Sequence, residues 1–389
     1  MTKPFSGNSG IRAHNSGSNS PTGAGQAEAL SFEEVEERFK EIMRGPLIQT
    51  VEIGDADIVV GIPFYNEADT IASVLKTVRK GLEEFYPDQK CVIVAAGSPV
   101  GGEALRAIDA VPRSEKINRI VFLLDDELLD GKGWSIRAIM EIADKLGADL
   151  ALLEADLKSR SVNGEIEGLS SEWIRLMLEP VKSGEMDMVI SRFNRHYLEA
   201  PVSTLTYPLF TAIYNCPIRR LTGGQWGIAH HLFRTYLSDA RYVWRTHISG
   251  YGVDAWLATI AITNNARICE APLGIKIRQR SGAKAELVLR HVAQVFLEQI
   301  MNDSEWWEQP GANREVPLRK PLPSFGIPKA HRPDAVEINP QLRIIKCQEG
   351  FNKFHRLYER VFPLEAYRQL AELAETDLRS FRFPANLWA

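Results

Sequence analysis

Four short apolar runs, each followed by a stretch with helical spacing, constrain this chain more than any other feature. They are Ile58-Val59-Val60-Gly61-Ile62-Pro63, Cys91-Val92-Ile93-Val94, Ile120-Val121-Phe122-Leu123 and Leu150-Ala151-Leu152-Leu153. Runs this short, bounded by turn residues, read as buried strands. The intervals carry amphipathic helices. Ile71, Val74, Leu75, Val78 and Leu82 share one helical face, and Ile136, Ile139, Met140 and Ile142 another. Alternation at this length builds βαβ units, so the expected fold is α/β, Rossmann-like, with a mainly parallel sheet and flanking helices. Ligands on such sheets gather beyond the C-terminal strand ends.

The remaining chain falls into place around that core. Residues 1–28 are rich in Gly, Ser, Asn and Pro and are expected to be a disordered tail. Ser31 and Glu34 have capping-box spacing, and Phe32, Val35, Phe39, Ile42 and Met43 then share a helical face. A helix over 172–181, strands over 188–191 and 267–276, and a helix over about 284–301 follow. The stretch 200–262 reads as less regular. One α/β domain with its N-terminal helix is thus expected over 29–302. Residues 303–389 read as an α-helical extension packing on that domain, and the abrupt end at Leu387-Trp388-Ala389 allows for a longer parent chain.

Composition narrows the function classes. Hydrophobic residues make up 44% and charged residues 25% of the 389, which is ordinary for a soluble globular protein. Lys+Arg 46 against Asp+Glu 50 leaves a net charge of -4, which disfavours nucleic acid and anionic membranes as partners. No apolar run is long enough to span a bilayer. The cysteines Cys91, Cys216, Cys269 and Cys347 are scattered without a CxxC pair and read as reduced residues of a cytoplasmic protein.

The candidate chemistry lies at the predicted strand ends. Glu154-Ala155-Asp156 follows the fourth run at once, and side chains at i and i+2 of an extended chain leave on the same side. Two such oxygens can hold Mg2+ or Mn2+ and, through it, a diphosphate. A solvated strand end explains the same tripeptide. Pro63, Tyr65, Asn66 and Glu67 close the first strand, where amide and carboxylate groups can grip a nucleoside. Gly97 and Ser98 close the second. Gly131-Lys132-Gly133 opens a helix and can bring a lysine to a phosphate. It lacks the spacing of a P-loop, and no GxGxxG follows the first strand. Thr222-Gly223-Gly224-Gln225 offers exposed amides, Asp254 opens a helix after Gly250-Tyr251-Gly252, and Arg192 and Asn194 end a strand.

In their order, these stretches resemble the GT-A-fold retaining glycosyltransferases, above all the glucosyl-3-phosphoglycerate synthases and more distantly the mannosylglycerate synthases. The resemblance covers about residues 57–302. Ile62-Pro63-Phe64-Tyr65-Asn66-Glu67 resembles the family's "PALNE" entry, and Gly131-Lys132-Gly133 its Gly-Lys-Gly loop. Glu154-Ala155-Asp156 takes the place of the Asp-x-Asp metal motif, and Ser191-Arg192-Phe193-Asn194 that of the phosphate-binding stretch. Thr222–Gln225 resembles the acceptor loop, and Gly250-Tyr251-Gly252-Val253-Asp254 the segment "GYGVE".

The resemblance implies a GT-A domain moving a hexose, glucose foremost, from a nucleoside diphosphate sugar to D-glycerate or 3-phosphoglycerate with retention, which would make a compatible-solute precursor. It implies Mg2+ or Mn2+ on Asp156 with Glu154 beside it, and Lys132 on the diphosphate. Pro63, Tyr65, Asn66, Glu67, Gly97, Ser98, Gly131 and Ala155 would line the donor, and Asp254 would orient the sugar. Arg192, Asn194, Thr222, Gly223, Gly224 and Gln225 would hold the acceptor, in a homodimer. The chain departs from the family pattern at Glu154, an aspartate there; at Gln225, a glutamate there; and at Arg278, where the family has a metal-binding histidine. Two rival readings are a non-catalytic sugar-nucleotide-binding paralogue and a sugar nucleotidyltransferase.

Overall fold

The computed structural model describes residues 31–195, 201–238, 244, 246–278, 285–308, 321–335 and 339–388. The expected tail over 1–28 lies outside them. A seven-stranded sheet organises the rest. Its central part alternates as expected: β1 (Ile58–Phe64), α2 (Ala68–Phe85), β2 (Cys91–Gly97), α3 (Gly102–Asp109), β3 (Ile117–Leu123), α4 (Lys132–Leu146) and β4 (Asp149–Leu152). β1 and β2 are buried at every residue, as parallel strands covered on both faces should be.

Later strands complete the sheet from the other side. These are β7 (Met188–Asn194), β8 (Trp226–Ile228) and β9 (Ile268–Ile275), and the spatial order is β3-β2-β1-β4-β8-β7-β9. All neighbours are parallel except those of β8, which runs antiparallel to both β4 and β7. The sheet is thus mainly parallel, and the reversed strand has a positional effect. The loop that enters β8, Thr222–Gln225, lies at the same edge as the exits of β4 and β7.

Two cores cover the two faces of the sheet. α1 (Phe32–Ile53) docks on α4 and so fixes the start of that helix. Its capping box forms as expected, with the Ser31 hydroxyl accepting from Glu34 N at 3.2 Å and the Glu34 carboxylate accepting from Ser31 N at 2.6 Å. Phe39 and Met43 are buried. The Arg137 guanidinium of α4 donates to both oxygens of Glu36, at 2.6 and 2.8 Å, and stacks 4.2 Å from the Phe39 ring.

Three parts differ from the sequence reading. A small antiparallel sheet follows β4 directly: β5 (Leu157–Val162) pairs with β6 (Glu165–Gly168) and with β10 (Ile277–Arg278). Its residues are mostly exposed, so no apolar alternation announced it. Among the described residues of 201–262 the chain is more regular than expected, with α6 (Pro201–Tyr214) and α7 (Phe233–Ser238), while α8 (Val253–Thr263) is the expected helix opened by Asp254.

After α5 (Glu172–Lys182), α9 (Ala285–Asn302) and the short α10 (Ser304–Trp307), the C-terminal extension is helical as expected. However, α11 (Pro340–Val361) and α12 (Leu364–Glu375) pack on one another and bury no residue. Their aromatic side chains meet each other, with Phe351 and Tyr367 rings 5.8 Å apart. A final turn, α13 (Ala385–Trp388), closes the described chain. No helix among the described residues is long and apolar enough to cross a membrane.

Candidate active site

The site is a charge cluster at the carboxyl edge of the sheet, around Glu154. The chain leaves β4 at Leu152 and turns at Ala155–Asp156 into β5. The extended run that would put Glu154 and Asp156 on one side is therefore broken, and the two acids meet different partners. One Glu154 oxygen accepts from Lys132 Nζ at 3.1 Å. The other accepts from Lys276 Nζ and from Gln225 Nε2, the latter at 3.2 Å. Burial alone would raise this carboxyl, yet Lys276 and Lys132 hold it well below the usual carboxylate range.

Lys132 joins Glu154 to Asp254. Its ammonium lies 3.0 Å from both Asp254 oxygens, and Trp226 Nε1 donates to Oδ1 at 3.3 Å. Burial disfavours the ammonium, but Asp254 and Glu154 outweigh it and hold its pKa above the usual lysine value. The flanking glycines have a packing reason. At Gly131 (φ +147) a Cβ would overlap the Ser249 carbonyl, and at Gly133 the Ile248 carbonyl. The loop closes onto 248–250 because neither residue has a side chain, and this closure brings Lys132 to the start of α8.

Thr222–Gln225 reaches the same acid. Gly224 has φ +83, and a Cβ there would overlap the Glu154 carboxylate; a Cβ on Gly223 would overlap Ser191. The Gly223 carbonyl accepts from Lys276 Nζ at 2.9 Å. Gln225 is fully buried, and its Oε1 has no hydrogen-bond partner among the described residues. Thr222 is half-buried at the mouth of this loop.

Asp156 differs from Glu154 in having an orphaned atom. Its Oδ1 is buried with no hydrogen-bond partner among the described residues. Burial and the nearby Glu154 push its carboxyl up to about 6, against the opposing pull of Lys276 and Arg278. A buried carboxylate oxygen without a donor suits a hard divalent cation, which commonly takes one protein carboxylate together with substrate phosphates and water. Glu154, the other acid expected at a metal, has its oxygens engaged by two ammonium groups and an amide. No group of three or more His, Cys, Asp or Glu residues able to hold a metal occurs among the described residues. Arg278, in the register of the family histidine, pairs with Leu157 of β5 and is exposed.

The groups expected at the first strand end serve the fold. Pro63 sits in buried β1, Tyr65 and Glu67 are half-buried, and Asn66 is exposed. The Glu67 carboxylate accepts from Tyr65 N at 2.6 Å. Thr70 Oγ1 donates to the Ala155 carbonyl at 2.7 Å and ties this turn to the acidic one. Gly97 lacks a side chain because a Cβ would overlap the Phe64 ring. Ser98 N donates to the Phe64 carbonyl at 3.0 Å, and its hydroxyl is buried without a partner among the described residues.

Two expected acceptor residues stand apart from the Glu154 cluster. Arg192 is paired with Glu270, 3.4 Å away. The Asn194 amide donates to the Lys329 and His331 carbonyls, at 2.7 and 3.1 Å, and anchors the 321–335 segment. Sequence reasoning did not pick out Lys276 as a site residue. It is largely buried, and its pKa is lowered to about 8 by burial, against the pull of Glu154. Its ammonium lies 5.6 Å from the Phe193 ring centroid. The one signal was a lysine immediately after an apolar strand. Trp226 and Glu270 carried no signal, since either reads as an ordinary strand residue.

Scans against protein-family profiles and against curated proteins give no match. Among solved structures, the chain is similar to glucosyl-3-phosphoglycerate synthase from Mycobacterium tuberculosis in complex with Mn2+, UDP and glucosyl-3-phosphoglycerate. That match has 16% identity and a TM-score of 0.45, over 72% of this chain and 87% of that one. The same enzyme with Mn2+, UDP-glucose and phosphoglyceric acid matches at 17% identity and a TM-score of 0.45, over 71% and 86%. With Mg2+ and UDP it matches at 16% and 0.45, over 70% and 84%. The likeness is distant.

Proposed function

We propose that this chain is a retaining hexosyltransferase that moves a hexose, glucose in the first instance, from a nucleoside diphosphate sugar to a hydroxyl of glycerate or 3-phosphoglycerate. The observation that supports this most is the Glu154-Lys132-Asp254 bridge, beside the orphaned Asp156 oxygen at the carboxyl edge of the sheet.

Each part has work in that reaction. As the donor's anomeric C–O bond breaks, one further negative charge develops on the already dianionic diphosphate, and fixed cations aimed at that spot lower the barrier without reorganising. Lys132 and Lys276 are held there, in a partly buried site where their fields are poorly screened. Glu154 keeps both ammonium groups protonated and in place. Asp156 would hold Mg2+ or Mn2+, with phosphate oxygens completing its shell; that cation supplies further charge neutralisation on the leaving diphosphate. Asp254, buried and fixed by Lys132 and Trp226, would accept from sugar hydroxyls. Tyr65, Asn66 and Glu67 would take the nucleoside. The loop Thr222–Gln225 would bring the acceptor beside Glu154, with Arg192 on its anionic end. No side chain is assigned as a nucleophile, in keeping with front-face transfer. The homodimer belongs to the same reading and rests on the family resemblance.

The test is a product screen by mass spectrometry. UDP-, GDP- and ADP-linked glucose and mannose would be offered with Mg2+ or Mn2+, against glycerate and 3-phosphoglycerate. A hexosyl-glycerate product supports the proposal and fixes both substrates. Nucleotide binding with no product across the panel overturns it and favours a sugar-nucleotide sensor; release of pyrophosphate from hexose phosphate and NTP favours a nucleotidyltransferase.

A further inference from the structure

Glu270 lies on β9, beside β7, with Ile190 opposite it in register. Arg192, two residues beyond Ile190, therefore leaves the same face as Glu270. Arg192 Nη1 and Glu270 Oε2 are 3.4 Å apart, and the Glu270 side chain is only 6% exposed. Its other oxygen, Oε1, is buried without a hydrogen-bond partner among the described residues. Burial raises the carboxyl, and Arg192, then the Arg219 backbone amide and guanidinium, pull it back. One buried acid is thus shared between the end of β7 and the loop that leads to Thr222.

The backbone that carries the acid is fixed on its outer side. Its backbone amide donates to the Pro323 carbonyl at 2.8 Å, and its carbonyl accepts from Phe325 N at 2.9 Å. Any anion that reaches Arg192, which is 32% exposed, also meets Glu270. Attraction to Arg192 and repulsion from Glu270 both double for a dianion, so Glu270 cancels most of the advantage that a lone Arg192 would give the more highly charged ligand. We propose that Glu270 is a selectivity residue: by holding Arg192 partly neutralised, it removes the preference for a phosphorylated hydroxy acid that a lone arginine would give the acceptor end, and so lets the monoanionic form compete. The identity of the acceptor rests on the transfer reading above, whereas the charge arrangement stands without it.

Calorimetry at pH 8 with inorganic phosphate and, separately, glycerate tests this on the full chain and its Glu270→Gln, Arg192→Ala and doubly substituted variants. Glutamine keeps the shape and removes the charge. The expected result is phosphate affinity at least tenfold higher in Glu270→Gln, glycerate affinity changed less than threefold, and the gain abolished when Arg192→Ala is added. Unchanged or weaker phosphate binding in a folded Glu270→Gln variant, or no phosphate binding by either protein, overturns the inference. In turnover, the same variant should shift the kcat/KM ratio at least tenfold toward the phosphorylated acceptor. Absence of any hexosyl product with the phosphate gain intact would remove the transfer reading and leave the selectivity of the cluster standing.

Discussion

The Lys132 ammonium sits 3.0 Å from each oxygen of Asp254, across 122 residues of chain. Both groups are largely removed from water, so neither tolerates loss of the other. Removing one partner of a buried pair costs about 3–5 kcal/mol, whereas neutralising both is far milder. Lys132→Met should therefore lower both Tm and kcat/KM, the latter by about a hundredfold. Adding Asp254→Asn should restore most of the Tm and none of the activity. Thermal denaturation beside steady-state kinetics checks this, and recovery of both together would mean that the pair is structural only.

Asp156 is predicted to show the opposite coupling. Its carboxyl is raised to about 6, so the folded state holds the proton more tightly than the unfolded chain does. That contribution to stability is present at acid pH and is lost as pH rises through about 6. At pH 7.5 the ionised, partnerless oxygen is a liability. Asp156→Asn should raise Tm by about 2–4 °C and abolish turnover, a trade of function for stability. An active Asp156→Asn enzyme would remove this residue from the mechanism.

A bell-shaped pH dependence follows from two groups that titrate on either side of neutrality. Asp156 must lose its proton to take a cation, so metal-dependent donor binding should fade below about pH 6. Lys276 is cationic below about 8 and neutral above it, so attraction for the diphosphate should fade there. The kcat/KM for the donor should peak between these limits. Lys276→Arg should extend the alkaline limb, because guanidinium does not titrate in this range. An alkaline limb that stays put in that variant would assign it to another group.

Gly224 is the glycine of the site that abuts the central acid directly. It combines φ +83 with a carboxylate where its Cβ would stand. Gly224→Ala should displace Glu154 from Lys132 and Lys276, lowering kcat/KM by about tenfold or more with a loss of about 1 kcal/mol from the left-handed backbone alone. Gly102→Ala, which meets nothing within 4 Å, serves as the control. Equal effects of the two substitutions would contradict this reading of the loop.

The sheet was legible because parallel strands buried on both faces write themselves as continuous apolar runs, and Ile58–Phe64 is such a run. The reversed β8 was not, since Trp226–Ile228 is too short to carry a period. Lys132, Glu154, Gln225 and Asp254 were each picked out from local sequence, and they do meet. What local sequence cannot hold is which oxygen each cation reaches. The i, i+2 argument for Glu154 and Asp156 presumed an extended chain; the turn at Ala155–Asp156 leaves them near one another but with different hydrogen-bonding. Lys276 pairs with Glu154 from 122 residues away, and no spacing rule spans that distance.

Because β8 lies between β4 and β7 yet follows both in the chain, the sheet cannot be completed in the order of synthesis. β4 and β7 must each wait, edge open, for Trp226–Ile228 to slide between them. Glu154 waits longer still, until Lys276 has emerged. Until then Glu154 has only Lys132 of its two ammonium partners. Such long-range closures come late and slowly. The charge cluster closes only once Lys276 has been made, so a product cut short before it lacks one of the two cations on Glu154 and not merely its tail.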